Sequence, residues 1–139
     1  MLITRKAEFS ASHVCFSPDL SPERNTALFG EESRPHGHGH NFVLEVTVRG
    51  DVDPVHGMVL DLKHLKRIIR DRVLDVYDHR FLNREVPPFD KVVPTAENIA
   101  RDIWERLQEP IGSLGAALHS VRLHESHDLF VEYQGGSGR

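Results

Sequence analysis

The chain has a single cysteine, Cys15. No internal disulfide can form, and a lone thiol fits a reducing compartment, so a cytoplasmic location is expected. Long apolar runs are missing too. The N-terminal stretch MLITRKAEFS carries charges and lacks the apolar core of a signal peptide or membrane span, so no membrane association is expected. Neither is there an excess of positive charge. The 17 Lys+Arg are outnumbered by 21 Asp+Glu for a net charge of -4, and the basic residues are dispersed, which argues against a nucleic-acid partner. Repeats are absent, and low complexity is confined to the terminal Gly135, Gly136, Ser137, Gly138 and Arg139. With 139 residues, the chain has room for one domain with a real core. We assign that domain to residues 1–134 and read 135–139 as a flexible tail.

What the sequence does have is alternation. From Ile3 to His13 the odd positions are mostly apolar and end on His13, the pattern of a half-buried strand. A long polar connection with Pro18, Pro22, Gly30 and Pro35 follows, with room for a short helix opened by Ser21 and Pro22 and stopped near Gly30. Connections of that length in compact domains usually serve a site. A second strand over His38–Arg49 puts His38, His40, Phe42, Leu44, Val46 and Val48 on one side. Asp61 then caps an amphipathic helix carrying Leu62, Leu65, Ile69, Val73 and Val76. Another helix follows Pro94 and Thr95, with Ile99, Ile103 and Leu107 inward, and stops at Pro110 and Gly112. Strands over Ala117–Glu125 and Leu129–Tyr133 finish the chain, the former with Ala117, His119, Val121, Leu123 and Glu125 on one face. The order ββααββ predicts an α+β fold, an antiparallel four-stranded sheet with both helices on one face and with open edges available for association.

The histidines carry the chemistry. Side chains at 38 and 40 point the same way, about 6.5 to 7 Å apart along a strand, and His13 faces them from the neighbouring strand. A solvated His-rich turn is the plain alternative. Three imidazoles on an apolar, inward face instead suit a zinc ion held by three protein ligands with one open position. Asp78 with His79 fits either a catalytic acid-base pair or a helix end that favours histidine. Glu125, ending an otherwise apolar row, fits a substrate clamp or a strand-end carboxylate in water. Cys15 reads as a small buried hydrophobe.

Seven motifs occur in an order that resembles the 6-pyruvoyl-tetrahydropterin synthase family, which also includes the 6-carboxy-tetrahydropterin synthases. They are FSASH at 9–13, LFG at 28–30, PHGHGHNF at 35–42, GDVDPVHGMVLDLKHLK at 50–66, DHRFLN at 78–83, PTAEN at 94–98 and LHES at 123–126. The long first connection looks more like the 6-pyruvoyl type. The resemblance implies a tunnelling fold (T-fold) that oligomerises into a β-barrel, a hexamer built as a dimer of trimers with sites between subunits. It also implies a dihydropterin triphosphate substrate, 7,8-dihydroneopterin triphosphate, and Zn2+ on His13, His38 and His40. Asp78 with His79 would relay protons, Glu125 would bind the pterin ring and Thr95 would assist. One departure stands out: Glu32 falls where the family places a catalytic cysteine. A carboxylate with a reference pKa near 4.3, against about 8.5 for a thiol, is ionised at neutral pH but is a weaker base. Relatives with glutamate there cleave the side chain to 6-hydroxymethyl-7,8-dihydropterin for folate synthesis, and that lyase reaction is the expectation carried forward. The alternatives are triphosphate elimination as in tetrahydrobiopterin synthesis, 6-carboxy-tetrahydropterin formation, or a zinc-containing pterin-binding protein without catalysis. Glu31 beside Glu32 leaves the identity of the base open.

Overall fold

The structure is a computed structural model that describes residues 1–136. Strand β1 (Leu2–His13) pairs antiparallel with β2 (His38–Arg49) along its whole length, Leu2 opposite Arg49 and His13 opposite His38. Strand β4 (Ala117–His124) lies against the other side of β2, and β5 (Phe130–Tyr133) closes that edge. A two-residue strand β3 (Arg80–Phe81) adds to β1 in parallel at Ala11 and Ser12, making the sheet five-stranded where the sequence indicated four. The sheet remains open: on this flank β3 covers only the last part of β1.

Helix α1 (Pro22–Phe29) starts as its sequence demands, with the Ser21 hydroxyl accepting from the Arg24 N–H and Pro22 at the first position. The next apolar segment is one helical rod in three pieces: α2 (Leu62–Ile69), a π turn (Arg70–Leu74) and α3 (Asp75–Tyr77). Leu65, Ile69, Val73 and Tyr77 are all buried at spacings of four. A regular helix would carry such a row round its surface, and the wider π turn holds Val73 and Tyr77 over the sheet. Leu62, expected inward, is 45% exposed because it occupies the first helical position, short of that row. A short helix α4 (Leu82–Glu85) follows β3, and α5 (Ala96–Gly112) buries Ile99, Ile103, Leu107 and Ile111.

The core lies between these helices and one face of the sheet. Phe9 stacks on Phe42 at 5.0 Å across the β1–β2 pair, and Tyr77 packs on Phe9 at 5.2 Å. Each such fully buried side chain contributes roughly 1.5–3 kcal/mol by its apolar area. In β4 the expected alternation fails at one place. A bulge opposite Thr47 and Val48 pairs them with Ser120 and Leu118, so His119 is the extra residue and drops out of the inward row. Val121, Leu123 and Glu125 remain on the buried side. At the C-terminus, Gly135 (φ 75°) lies so close to Trp104 that a Cβ there would sit 2.5 Å from the ring. Residues 137–139 of the expected tail lie outside the described residues. No helix among the described residues is long and apolar enough to cross a membrane.

The Tyr77 hydroxyl is buried and donates to Asp102, which also accepts from Arg106 Nε at 2.7 Å. Burial, then the Asp102 charge, raises the Tyr77 pKa. A pKa raised above the unfolded value near 10 gives stability that is complete below about pH 10 and is lost as pH climbs beyond it. Urea midpoints measured from pH 9 to 11 should therefore fall less steeply in Tyr77→Phe than in the parent protein. Identical alkaline slopes would contradict this assignment.

Candidate metal centre and active site

The pairing register of β1 and β2 sets His13 directly opposite His38, with His40 two residues along on the same face. Gly37, at φ 74°, makes the turn into β2, and a Cβ there would lie 3.1 Å from the His13 carbonyl oxygen. A side chain at 37 would crowd the strand end that carries the histidines. The three imidazoles stand edge to face, with ring centroids 4.6 Å (13 to 38), 5.1 Å (13 to 40) and 4.8 Å (38 to 40) apart. Phe42 floors the group at 5.4 Å from His40.

Each ring nitrogen has a definite situation. His13, only 1% exposed, donates its Nδ1–H to the Pro94 carbonyl at 2.7 Å, and that bond leaves Nε2 as a lone pair. His13 Nε2 meets His38 Nε2 at 3.1 Å. His40 Nε2 is buried without a hydrogen-bond partner, although Glu125 Oε1 lies 3.1 Å from it in poor alignment. Burial is the largest cause lowering the pKa of both His13 and His40, which favours the neutral form that a metal needs. His13, His38, His40 and Glu125 each bring one donor atom within 4.8 Å of the others. An orphaned nitrogen, two facing nitrogens and a second-layer carbonyl fixing the His13 tautomer fit a divalent cation better than an empty polar cluster. Glu125 is 8% exposed, and burial raises its pKa.

Cys15 is buried, and its N–H donates to the Glu32 carbonyl at 2.9 Å, which brings Glu32 alongside the end of β1. Glu31 behaves differently. It pairs with Arg34 at 3.2 Å, and both side chains stand in solvent. Asp78 and His79 sit at the β1 edge. Asp78 Oδ1 accepts from the Ser10 N–H at 2.9 Å, the bond that does most to lower its pKa, and its other oxygen lies 3.0 Å from His79 Nδ1. The His79 side chain is 82% exposed and borders a cavity of about 490 Å³ shared with Ser10, Ser12 and Asn41. Ser10, Ser12 and Asn41 alternate with the histidine trio along their strands, and His40 borders the same cavity; Asp78 and His79 are not among the clustered donor atoms. Thr95 caps α5, its hydroxyl accepting from the Asn98 N–H at 3.3 Å, and stands beside the Pro94 carbonyl that holds His13. Pro94 escaped the sequence reading because its contribution is a backbone oxygen, to which no side-chain pattern points.

A model of the family described as 6-pyruvoyl tetrahydropterin synthase matches residues 2–136. The 6-pyruvoyl tetrahydrobiopterin synthase of Pongo abelii is 43% identical over 135 residues, covering 96% of this chain and 90% of that protein. The structure of Caenorhabditis elegans 6-pyruvoyl tetrahydropterin synthase superposes with a TM-score of 0.92 at 38% identity, covering 98% of this chain and 96% of that one. A Plasmodium vivax 6-pyruvoyltetrahydropterin synthase, described as a catalytic-residue mutant with alanine replacing glutamate, shares the fold at a TM-score of 0.60 and 18% identity, covering 96% of this chain and 97% of that one. The chain belongs to the 6-pyruvoyl tetrahydropterin synthase family.

Proposed function

We propose that the protein is a zinc-dependent 6-pyruvoyl-tetrahydropterin synthase that eliminates triphosphate from 7,8-dihydroneopterin triphosphate. The observation that carries this reading is the convergence of His13, His38 and His40 with Glu125 on one buried spot, in a chain whose relatives bear that enzyme name. Those names weigh against side-chain cleavage, which the presence of Glu32 alone favoured. Cleavage to 6-hydroxymethyl-7,8-dihydropterin stays as the second reading, because Glu32 stands where the family pattern has a catalytic cysteine.

His13, His38 and His40 would hold the zinc ion, leaving a position open to substrate. When bound, such an ion supplies Lewis acidity that makes protons near the side-chain hydroxyls easier to remove. Glu125 clamps the pterin, its two oxygens accepting from the ring amino group and ring N–H, and its buried carboxylate rewards a ligand that brings two donors. Glu32 rather than Glu31 takes the substrate proton, since the Glu31 carboxylate is engaged with Arg34 in solvent. That a glutamate is described as catalytic in the Plasmodium vivax protein supports a carboxylate in this role. His79 passes protons through its ring, with Asp78 fixing its tautomer at 3.0 Å. With Asp78 and His79 on the exposed β1 edge and outside the clustered donor atoms, the pair serves the metal centre of a neighbouring copy, as expected for a hexamer with sites between subunits.

Mass spectrometry of the products from metal-replete protein and 7,8-dihydroneopterin triphosphate should give 6-pyruvoyl-tetrahydropterin. 6-Hydroxymethyl-7,8-dihydropterin alone would transfer the assignment to cleavage, and tight binding without turnover would remove the catalytic reading. The shared site has its own test. His38→Ala and His79→Ala should each be nearly inactive alone, and subunits of the two co-refolded should recover activity in the mixed oligomer. No recovery in verified mixed oligomers would place all the groups of a site in one chain.

A further inference from the structure

The motif DHRFLN at 78–83 lends Asp78 and His79 to the reaction just described, and its last residue is left over. Asn83 lies in α4, where the chain leaves the sheet after β3. There its carboxamide closes on the backbone of Val14, one residue beyond His13. The Val14 N–H donates to Asn83 Oδ1 at 2.8 Å, and Asn83 Nδ2 donates to the Val14 carbonyl at 2.9 Å. Strand β3 pairs with β1 only at Ala11 and Ser12, so the amide continues the ladder where the neighbouring strand has ended. Both backbone groups of a buried residue are satisfied in this way. The same segment bears on the other histidine strand. Val14 and Phe81 flank Gly37, the residue before His38: a Cβ there would lie 3.3 Å from a Val14 methyl carbon and 3.5 Å from the Phe81 ring.

We infer that Asn83 is a positioning residue for the metal centre, whose two-bond clamp on Val14 fixes the end of β1 and so holds His13 ready for the ion. The inference rests on the reading of His13, His38 and His40 as metal ligands. The Pro94 carbonyl sets the tautomer of His13, but a bond to the ring does not fix the backbone that carries the ring. That backbone is paired with β2 on one side, His13 opposite His38, and Asn83 secures it from the other. A strand end held from one side only is prone to fray. If the ordered end were populated about one-tenth of the time, the apparent metal affinity would fall about tenfold. Asparagine suits the task because its amide presents a donor and an acceptor side by side, as a peptide group does. Aspartate offers acceptors only and sets a negative oxygen against the Val14 carbonyl.

The test is binding of Co2+, a spectroscopic stand-in for zinc, followed by its visible absorption in competition with a chelator. Asn83→Ala should bind the ion about tenfold more weakly than the parent, at the low end of losses caused by residues outside the ligand shell. It should still fold, because Asn83 and Val14 border a cavity of about 460 Å³ where water can reach the freed Val14 groups. Asn83→Asp, which keeps the shape and the acceptor but not the donor, should lose affinity as well, and it carries the test if the alanine variant does not fold. Asn25 supplies the control. It is buried and grips the turn after Phe16 in the same manner, accepting from the Ser17 N–H at 2.7 Å and donating to the Ser17 carbonyl at 2.9 Å, with no metal ligand beside it. Asn25→Ala should melt at a lower temperature yet bind Co2+ within about twofold of the parent, as befits a separate site. A lower melting temperature in the Asn83 variants with Co2+ affinity unchanged would overturn the inference. Equal losses of affinity in Asn25→Ala and Asn83→Ala would overturn it too, since any loosening of the connection would then suffice. A parent protein that binds no Co2+ would instead remove the metal reading, and the clamp's role with it.

Discussion

Everything at the working end of this protein depends on the face to which β1 and β2 turn their last residues. A strand has a side-chain period of two, so a slip of one residue in the β1–β2 pairing would send His13 out while His38 stayed in. The register is fixed over twelve residue pairs, and the stacked Phe9 and Phe42 lock it four residues short of the metal-type cluster. Hydrophobic burial thus sets where the imidazoles stand. The same apolar row that secures the sheet against the helices delivers three imidazoles to one place, and the Pro94 carbonyl, brought by the start of α5, decides which nitrogen of His13 is left free.

That delivery does not bring in every residue of the proposed site. Glu125 arrives from the end of β4 on the buried side, while Asp78 and His79 are held at the β1 edge by Ser10, outside the clustered donor atoms. The His79 backbone is held in a left-handed conformation, φ 60°, by a bond from its N–H to the Ser10 carbonyl at 2.6 Å. Such a conformation is costly outside glycine and persists where the surroundings impose it. This exposed imidazole stands beside a sheet edge that is paired over only two residues. The proposed sharing of a site between subunits would account for both the open sheet edge and the exposed pair.

Much of this was legible in the sequence, and the exceptions have physical causes. Period-two alternation gave β2 its observed limits and put His13, His38 and His40 on one face, because a buried strand face leaves a strong imprint on residue type. The same rule failed at His119, since one bulged residue reverses the phase without any signature of its own. Leu62 looked inward by spacing but falls outside the row kept in the core by the π turn. The two-residue β3 is too short for any periodicity to register. Contacts made by backbone atoms, such as Pro94 to His13, and contacts across a long connection, such as Cys15 to Glu32, depend on folding rather than on residue spacing. Glu32 was singled out only through its departure from a family pattern, and Glu31 was separated from it only by the ion pair with Arg34.

The most direct test of the account is X-ray absorption spectroscopy of the zinc-loaded protein at the metal edge. Three imidazoles as the protein ligands require a first shell of nitrogen and oxygen at about 2.0–2.1 Å with the multiple scattering of three imidazole rings. A sulfur shell near about 2.3 Å would mean that Cys15 is a ligand. A spectrum with fewer than two imidazoles would mean that the three histidines do not act together, and the proposed chemistry would lose its centre.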